Sequence, residues 1–227
     1  MGLASRSQAA AWVREGRVRV NGRVVRDEES PVRQGVDRVT VDGVDSVARA
    51  PERRIVVMLH KPRGLVTTTK DERGRDTVYR CLEGSGLPWL APVGRLDMAS
   101  EGLLLFSNDA AWAAGITDPK TGPDKTYHVQ VDAPVDEDSL AAWRTGIADA
   151  GETLTARDVR VLRGGGKTTW LVVTLDEGKN RQIRRMAEAS GWKVLRLVRV
   201  AVGKLELGAL AKGTWRELSE EELRRLK

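Results

Sequence analysis

GRLDMASEGLLLFSND, residues 94–109, sets a charged turn directly against an apolar run of strand length. Residues 102–107, GLLLFS, are too few for a core helix, and an unbroken apolar run of this length reads as a strand covered on both sides. Similar short runs recur along the chain, IVVML at 55–59, TYHVQV at 126–131 and TWLVVTL at 169–175, each bounded by turn residues. Two amphipathic segments interrupt them. One is a predicted helix at 137–145. The other spans 181–190, with Asn180 placed to cap its start and Gly191 its end. This order predicts an α+β domain over 55–227, built on a mainly antiparallel mixed sheet flanked by helices.

Upstream the pattern changes. Ser5 can cap a helix over residues 6–15 that stops at Gly16, and RVRV then meets NGRVV, where Asn21-Gly22 signals a type I′ hairpin. With RVTVDG at 38–43 these elements make a compact basic module, residues 1–44. Residues 45–54, DSVARAPERR, lack an apolar period and contain Pro51, so they read as a linker.

The 227 residues carry a net charge of +6, and 41% are hydrophobic, which is ordinary for a folded chain. The charge is uneven. Residues 1–26 hold Arg6, Arg14, Arg17, Arg19, Arg23 and Arg26 against the single acid Glu15, and residues 179–227 hold thirteen Lys or Arg against six Glu. Residues 132–158 are acidic, a solvated outer edge. Positive charge gathered at both ends favours a polyanionic partner. The one cysteine, Cys81, rules out an internal disulfide framework and a zinc–thiolate site, and a reducing cytoplasm is the expected location. No run approaches a membrane span, and no signal-peptide core opens the chain.

Neither histidine has metal-ligand spacing, and HExxH, P-loop and GxSxG patterns are absent. Carboxylates are left as the chemical candidates. Asp97 stands at a strand entrance two residues after Arg95, where a carboxylate can act as nucleophile, base or electrostatic stabiliser. Taken alone it reads first as a turn residue. EGKNRQIRRM, residues 177–186, puts Arg181, Arg184 and Arg185 at positions i, i+3 and i+4 of one helix face, beside a helix N-terminus that attracts anions; a solvated basic face is the plain alternative. Tyr127 can stack on an extruded base or simply pack, and the 67–78 loop offers Arg73 and Arg75 either to RNA or to a surface turn.

Together these blocks resemble the RsuA-like group of bacterial ribosomal RNA pseudouridine synthases. HKPRGLVTT at 60–68 looks like its first motif, GRLDMASEGLLLFSND its catalytic motif, KTY at 125–127 its tyrosine motif and EGKNRQIRRM its third. ASRSQAAAWVREGRVRVNGRVV resembles the S4 RNA-binding module that precedes the catalytic domain in the group, with most of its first helix expected to be missing. His60 stands where the group usually has asparagine. The resemblance implies that Asp97 is the catalytic carboxylate, that Tyr127 stacks on a flipped base, and that Arg184 pairs with Asp97. It further implies RNA contacts from Arg6, Arg14, Arg17, Arg19, Arg23, Lys61, Arg73, Arg75, Arg95, Lys125, Lys179, Arg181 and Arg185. The implied partner is ribosomal RNA, 23S favoured over 16S, within a ribosome-assembly intermediate. No cofactor or metal is needed, because an isomerisation adds and removes nothing, and a monomer is expected. A non-catalytic S4-type RNA-binding or ribosome-assembly protein is the competing reading, and it would have no use for Asp97. A methyltransferase would need a glycine-rich cofactor loop after a strand, which is not seen.

Overall fold

The computed structural model describes residues 4, 6–33, 36–45, 53–69 and 71–226. The Ser5 cap and most of the 45–54 linker lie outside them.

The basic module begins with α1 (Arg6–Arg14), which ends before Gly16 at φ +74°. Strands β1 (Val18–Val20), β2 (Arg23–Val24), β3 (Val39–Val41) and β4 (Val44–Asp45) form a sheet in the order β2-β1-β3-β4. Asn21 and Gly22 both take positive φ, 50° and 82°, as the expected I′ turn between β1 and β2 requires.

In the larger domain the chain runs through β5 (Val56–Lys61), β6 (Ala91–Val93), β7 (Glu101–Ser107), α2 (Ala110–Thr117) and β8 (Lys125–Val131). It continues through α3 (Glu137–Thr145), the β9 (Ile147–Asp149) and β10 (Glu152–Leu154) hairpin, β11 (Asp158–Gly165) and β12 (Thr168–Leu175). It ends with α4 (Gln182–Ala189), β13 (Val194–Val202), β14 (Leu205–Glu206), β15 (Trp215–Glu217) and α5 (Glu220–Arg224).

Nine strands make one sheet, ordered β11-β12-β8-β13-β7-β5-β15, with β14 on β13 and β6 on β7. Its pairings are antiparallel except that β13 and β7 run parallel. All seven residues of β7 are buried, which accounts for the unbroken apolar run that marks it in the sequence. Leu103 and Leu105 face one apolar cluster with Ile116, Val202 and Leu223; Leu104 and Phe106 face another with Val57, Leu59 and Val78. A third cluster packs Val129, Leu171, Val173 and Leu197 of the sheet against Trp143 of α3 and Met186 of α4. This packing fixes α4 over one face of the sheet, and with it the arginines at its start.

At Gly102 the strand crosses β13 so closely that a Cβ would lie 2.2 Å from the carbonyl oxygen of Arg199, and the backbone takes φ +109°. Only glycine fits both conditions.

Candidate active site

Asp97 lies on the tight turn that enters β7. The Ser100 amide donates to the Asp97 carbonyl at 2.9 Å, and the Gly64 amide donates to that of Met98 at 2.8 Å. The Thr67 hydroxyl donates to the Leu96 carbonyl at 2.7 Å. Lys61 closes the arrangement from below: its Nζ donates to the carbonyls of Pro62, Asp97 and Ser100 at 3.0, 3.1 and 2.9 Å. An ammonium has three protons, and here each has a backbone acceptor. The Lys61 side chain has no exposed surface, and burial, opposed by the negative charge of Asp97, pushes it down to about 8. The expectation that Lys61 touches RNA therefore gives way to a different role, since a cation sealed beneath the turn holds the backbone that carries Asp97.

Two arginines flank the Asp97 carboxylate. Arg181 Nη1 stands 3.7 Å from Oδ2 and Arg184 Nε 4.0 Å from it. Arg184 is largely buried and braces the turn through Nη2, which donates to the Ala99 carbonyl at 3.2 Å. Its Nε has no hydrogen-bond partner, a deficit worth about 1–3 kcal/mol in a buried donor. Burial lowers the Arg184 guanidinium from its ordinary value, and the charge of Arg181 adds to this, with Asp97 opposing.

Arg181 reaches the carboxylate by an unusual backbone. It occupies the cap position of α4 in the left-handed region, φ 50° and ψ 29°. Asn180, expected to cap the helix, does not. Gln182, buried, organises the entry instead: its Oε1 accepts from the Lys179 amide at 3.1 Å, and its Nε2 donates to the Thr155 carbonyl and to Glu177, both at 2.9 Å. The helix does end at Gly191, φ +76°.

A cleft of about 600 Å3 opens over this carboxylate, with Asp97, Lys125, Tyr127, Arg181, Leu197 and Arg199 in its wall. That is the size of a pocket for a nucleotide-sized ligand. Tyr127 lies across from Arg199 on adjacent strands, and its ring packs against the apolar clusters on both sides of it. Arg199 is buried, its Nε donating to the Leu103 carbonyl at 2.7 Å. Burial lowers the Lys125 ammonium, as does the charge of Arg199, against Asp124 and Asp176. Arg95 and Lys179 also line the cleft. A fixed carboxylate among cations can stabilise or trap positive charge developing on a sugar, while the cations hold phosphate oxygens.

The remaining expected contacts are dispersed. Arg185, on the same helix turn as Arg184, points away: it bonds Asp149 at 2.5 Å and reaches Glu152 of the β9–β10 hairpin. Lys179 Nζ donates to the Thr153 carbonyl. Arg75 bonds Asp71, whose carboxyl is held down to about 2 by the Arg75 side chain and loop amides, while Arg73 is exposed. In the basic module Arg17 is engaged by Asp42 at 2.6 Å and lies over the Trp12 ring, and Arg14 pairs with Glu28. Arg19 and Arg23 are exposed, and Arg6 opens α1. Sequence reasoning missed Arg199, Glu177 and Gln182 as site residues. For Arg199 the signal was available, an arginine at an inward position of the alternating VLRLVRV strand.

Among the described residues no three His, Cys, Asp or Glu side chains converge to hold a metal ion, and no helix is long and apolar enough to cross a membrane.

A buried-cation turn presenting one carboxylate in a basic, nucleotide-sized cleft, in a chain that also carries a small basic module, defines a protein that works on nucleic acid. Residues 55–189 match the family model for RNA pseudouridylate synthase and residues 1–39 that for the S4 domain, and the chain belongs to the RNA pseudouridylate synthase family. It is similar to an uncharacterized RNA pseudouridine synthase of Aquifex aeolicus (strain VF5), 37% identical over 99% of this chain and 89% of the relative. It is also similar to ribosomal large subunit pseudouridine synthase B of Bacillus subtilis (strain 168), 35% identical over 100% of this chain and 91% of the relative. A crystal structure of a pseudouridylate synthase superposes with a TM-score of 0.69 at 30% identity, covering 98% of this chain and 94% of the other. The expected family, α+β fold and enzyme class all stand, and the non-catalytic alternative falls.

Proposed function

We propose that this protein converts one uridine of large-subunit ribosomal RNA to pseudouridine, with Asp97 as the catalytic carboxylate. The observation that carries the reading is the Asp97 turn: its backbone is held by buried Lys61, and its carboxylate stands in the wall of a cationic cleft shared with Tyr127 and is approached by Arg181 and Arg184. The large-subunit assignment is supported by the 35% identity to the Bacillus subtilis enzyme of that name.

In this reading the target uridine leaves its stack and enters the cleft, at a cost of a few kcal/mol that phosphate contacts to Arg95, Arg181 and neighbouring cations offset. Asp97 acts on the nucleoside as the bond between N1 and the sugar breaks. The uracil rotates, its C5 joins the sugar, the C5 proton departs as the ring regains aromaticity, and N1, freed from the sugar, takes up a proton, so nothing is gained or lost overall. Tyr127 stacks on the base and is placed to take that proton. Arg184 holds the Asp97 carboxylate. The enzyme works as a cytoplasmic monomer on a ribosome-assembly intermediate, needing no cofactor.

Pseudouridine mapping of ribosomal RNA from cells lacking the gene tests this. One site should vanish from 23S RNA and return with wild type, but not with Asp97→Asn. A vanished site in 16S RNA would overturn the subunit assignment, and restoration by the Asn variant would overturn the role of Asp97.

A further inference from the structure

Behind the cleft the sheet carries a second basic surface. Strands alternate their side chains between faces, so Tyr127, Val129, Leu171, Val173 and Leu197 point to the cleft side, where α3 and α4 pack. Their neighbours point the other way. Register places Arg163 of β11, Trp170 of β12, Gln130 of β8 and Arg196 of β13 in one row across that far face. The next row holds Arg160, Val172, His128 and Val198. All three of these arginines are exposed, and Trp170 is half-buried.

The row is organised. The guanidinium of Arg163 lies 5.1 Å from the centre of the Trp170 ring and that of Arg196 5.5 Å from it. Arg196 is also anchored at 3.1 Å to buried Glu101, which Lys212 neutralises further. The positive field reaches His128, whose imidazole is lowered first by burial and then by Arg160 and Arg163. Over the indole Arg163 keeps its N–H edge free, Arg196 keeps Nη1 beyond its bonds to Glu101, and both have already lost much of their rotamer freedom, which reduces the cost of gripping an anion.

We propose that this far face of the sheet is a second RNA-binding surface, on which Arg160, Arg163 and Arg196 hold phosphates of a substrate segment distant from the target uridine. It rests on the reading of the protein as a ribosomal RNA enzyme. RNA is the occupant that the charge favours: three exposed arginines and Lys212 share the face with Asp158, Glu206 and the already paired Glu101, the two free acids lying one row beyond Arg160, and an aromatic ring lies between two of the arginines. β11 is an edge strand, so an RNA chain leaving the cleft can pass around it to the far face.

The double variant Arg160→Gln/Arg163→Gln tests the proposal, with Arg196 kept because Glu101 depends on it. Filter binding to a 23S RNA transcript should weaken about tenfold, and the slope of log K against log salt should become shallower by about one unit for each lost contact. Turnover of saturating transcript should stay at the wild-type level, and Arg163→Lys, which keeps the charge without the stacked plane, should fall between. Unchanged affinity and slope in a folded double variant would overturn the proposal. So would unchanged affinity with a shift from dimer to monomer in sedimentation, which would make the face a contact between copies. Should wild type bind the transcript with the expected slope but form no pseudouridine in it, the substrate reading fails while the surface stands.

Discussion

Arg184 Nε stands 4.0 Å from Oδ2 of Asp97, is buried, and donates to nothing. This is an ion pair and not a hydrogen bond, and a buried donor left unsatisfied beside a carboxylate is placed to close on it when substrate binds, as catalytic contacts commonly tighten. The neighbouring Arg181 differs, with 53% of its side chain exposed against 14% for Arg184. The two arginines should therefore separate in kinetics. Arg184→Gln is expected to lower kcat about 10²-fold, the usual effect of removing one preorganised donor, with RNA affinity within about threefold of wild type. Arg181→Gln should weaken RNA binding and flatten its salt dependence. Single-turnover rates and filter binding on both variants check this, and a salt-slope change confined to Arg184→Gln would reverse the assignment.

Replacing Asp97 isolates the chemistry. Asp97→Asn keeps the shape of the turn, because Lys61 and the Ser100 amide hold its backbone oxygen and not its carboxylate. Isomerisation should fall by on the order of 10³-fold or more, while affinity for RNA, dominated by phosphate contacts, should change little. Equal losses in binding and product formation would refute the division between one catalytic carboxylate and a cationic grip.

The sequence exposed those parts of the site whose chemistry is local. The charged turn at 94–101, the run of β7, the Asn21-Gly22 hairpin and the extent of α3 follow from short-range pattern, and the structure shows all of them. Asp97 became a catalytic candidate only through resemblance, because an aspartate in a turn carries no mark of its own. Lys61 misled for a related reason. A lysine beside Pro62 reads as a surface cation until the fold brings three carbonyls from two segments around it. Arg184 and Arg185 are adjacent and chemically identical, yet one faces Asp97 and the other Asp149, a choice made by where the β9–β10 hairpin packs on α4. β13 is not among the strands that short-range pattern marks. Its parallel pairing with β7 joins segments about a hundred residues apart, which no local period reports.

Lys61 gives the protein a pH signature. Its folded value, about 8, lies below the 10.5 of an unperturbed lysine, so between these pH values the unfolded chain binds the proton and the folded chain does not. Stability contributed by this group therefore rises with pH across that window. Urea unfolding of wild type and Lys61→Met at pH 7.5 and pH 9.5 should show wild type gaining on the variant at the higher pH. A gap that stays constant or narrows would mean that the lysine is not held in a depressed state. At pH 7.5 the variant should also lose activity, since three backbone oxygens under Asp97 lose their donor.

Gly102 should be the least replaceable residue of the β7 motif. A methyl group there meets the Arg199 carbonyl oxygen at 2.2 Å and the Arg199 amide nitrogen at 2.6 Å, and neither can retreat as a flexible side-chain end would. Positive φ adds about 1–2 kcal/mol for any other residue, and overpacking about 1–3 kcal/mol more. Gly102→Ala is thus expected to destabilise the domain by about 3 kcal/mol or more, readable as a lower urea midpoint. Because the strand would have to move away from β13, Arg199 would lose its bond to the Leu103 carbonyl and shift within the cleft wall. Activity measured on the fraction that remains folded should fall as well. A variant that unfolds at the wild-type midpoint would show that the β7–β13 contact is looser than 2.2 Å implies. By contrast, Gly84→Ala, also at positive φ but with open space around its Cβ, should incur only the backbone cost and leave activity intact.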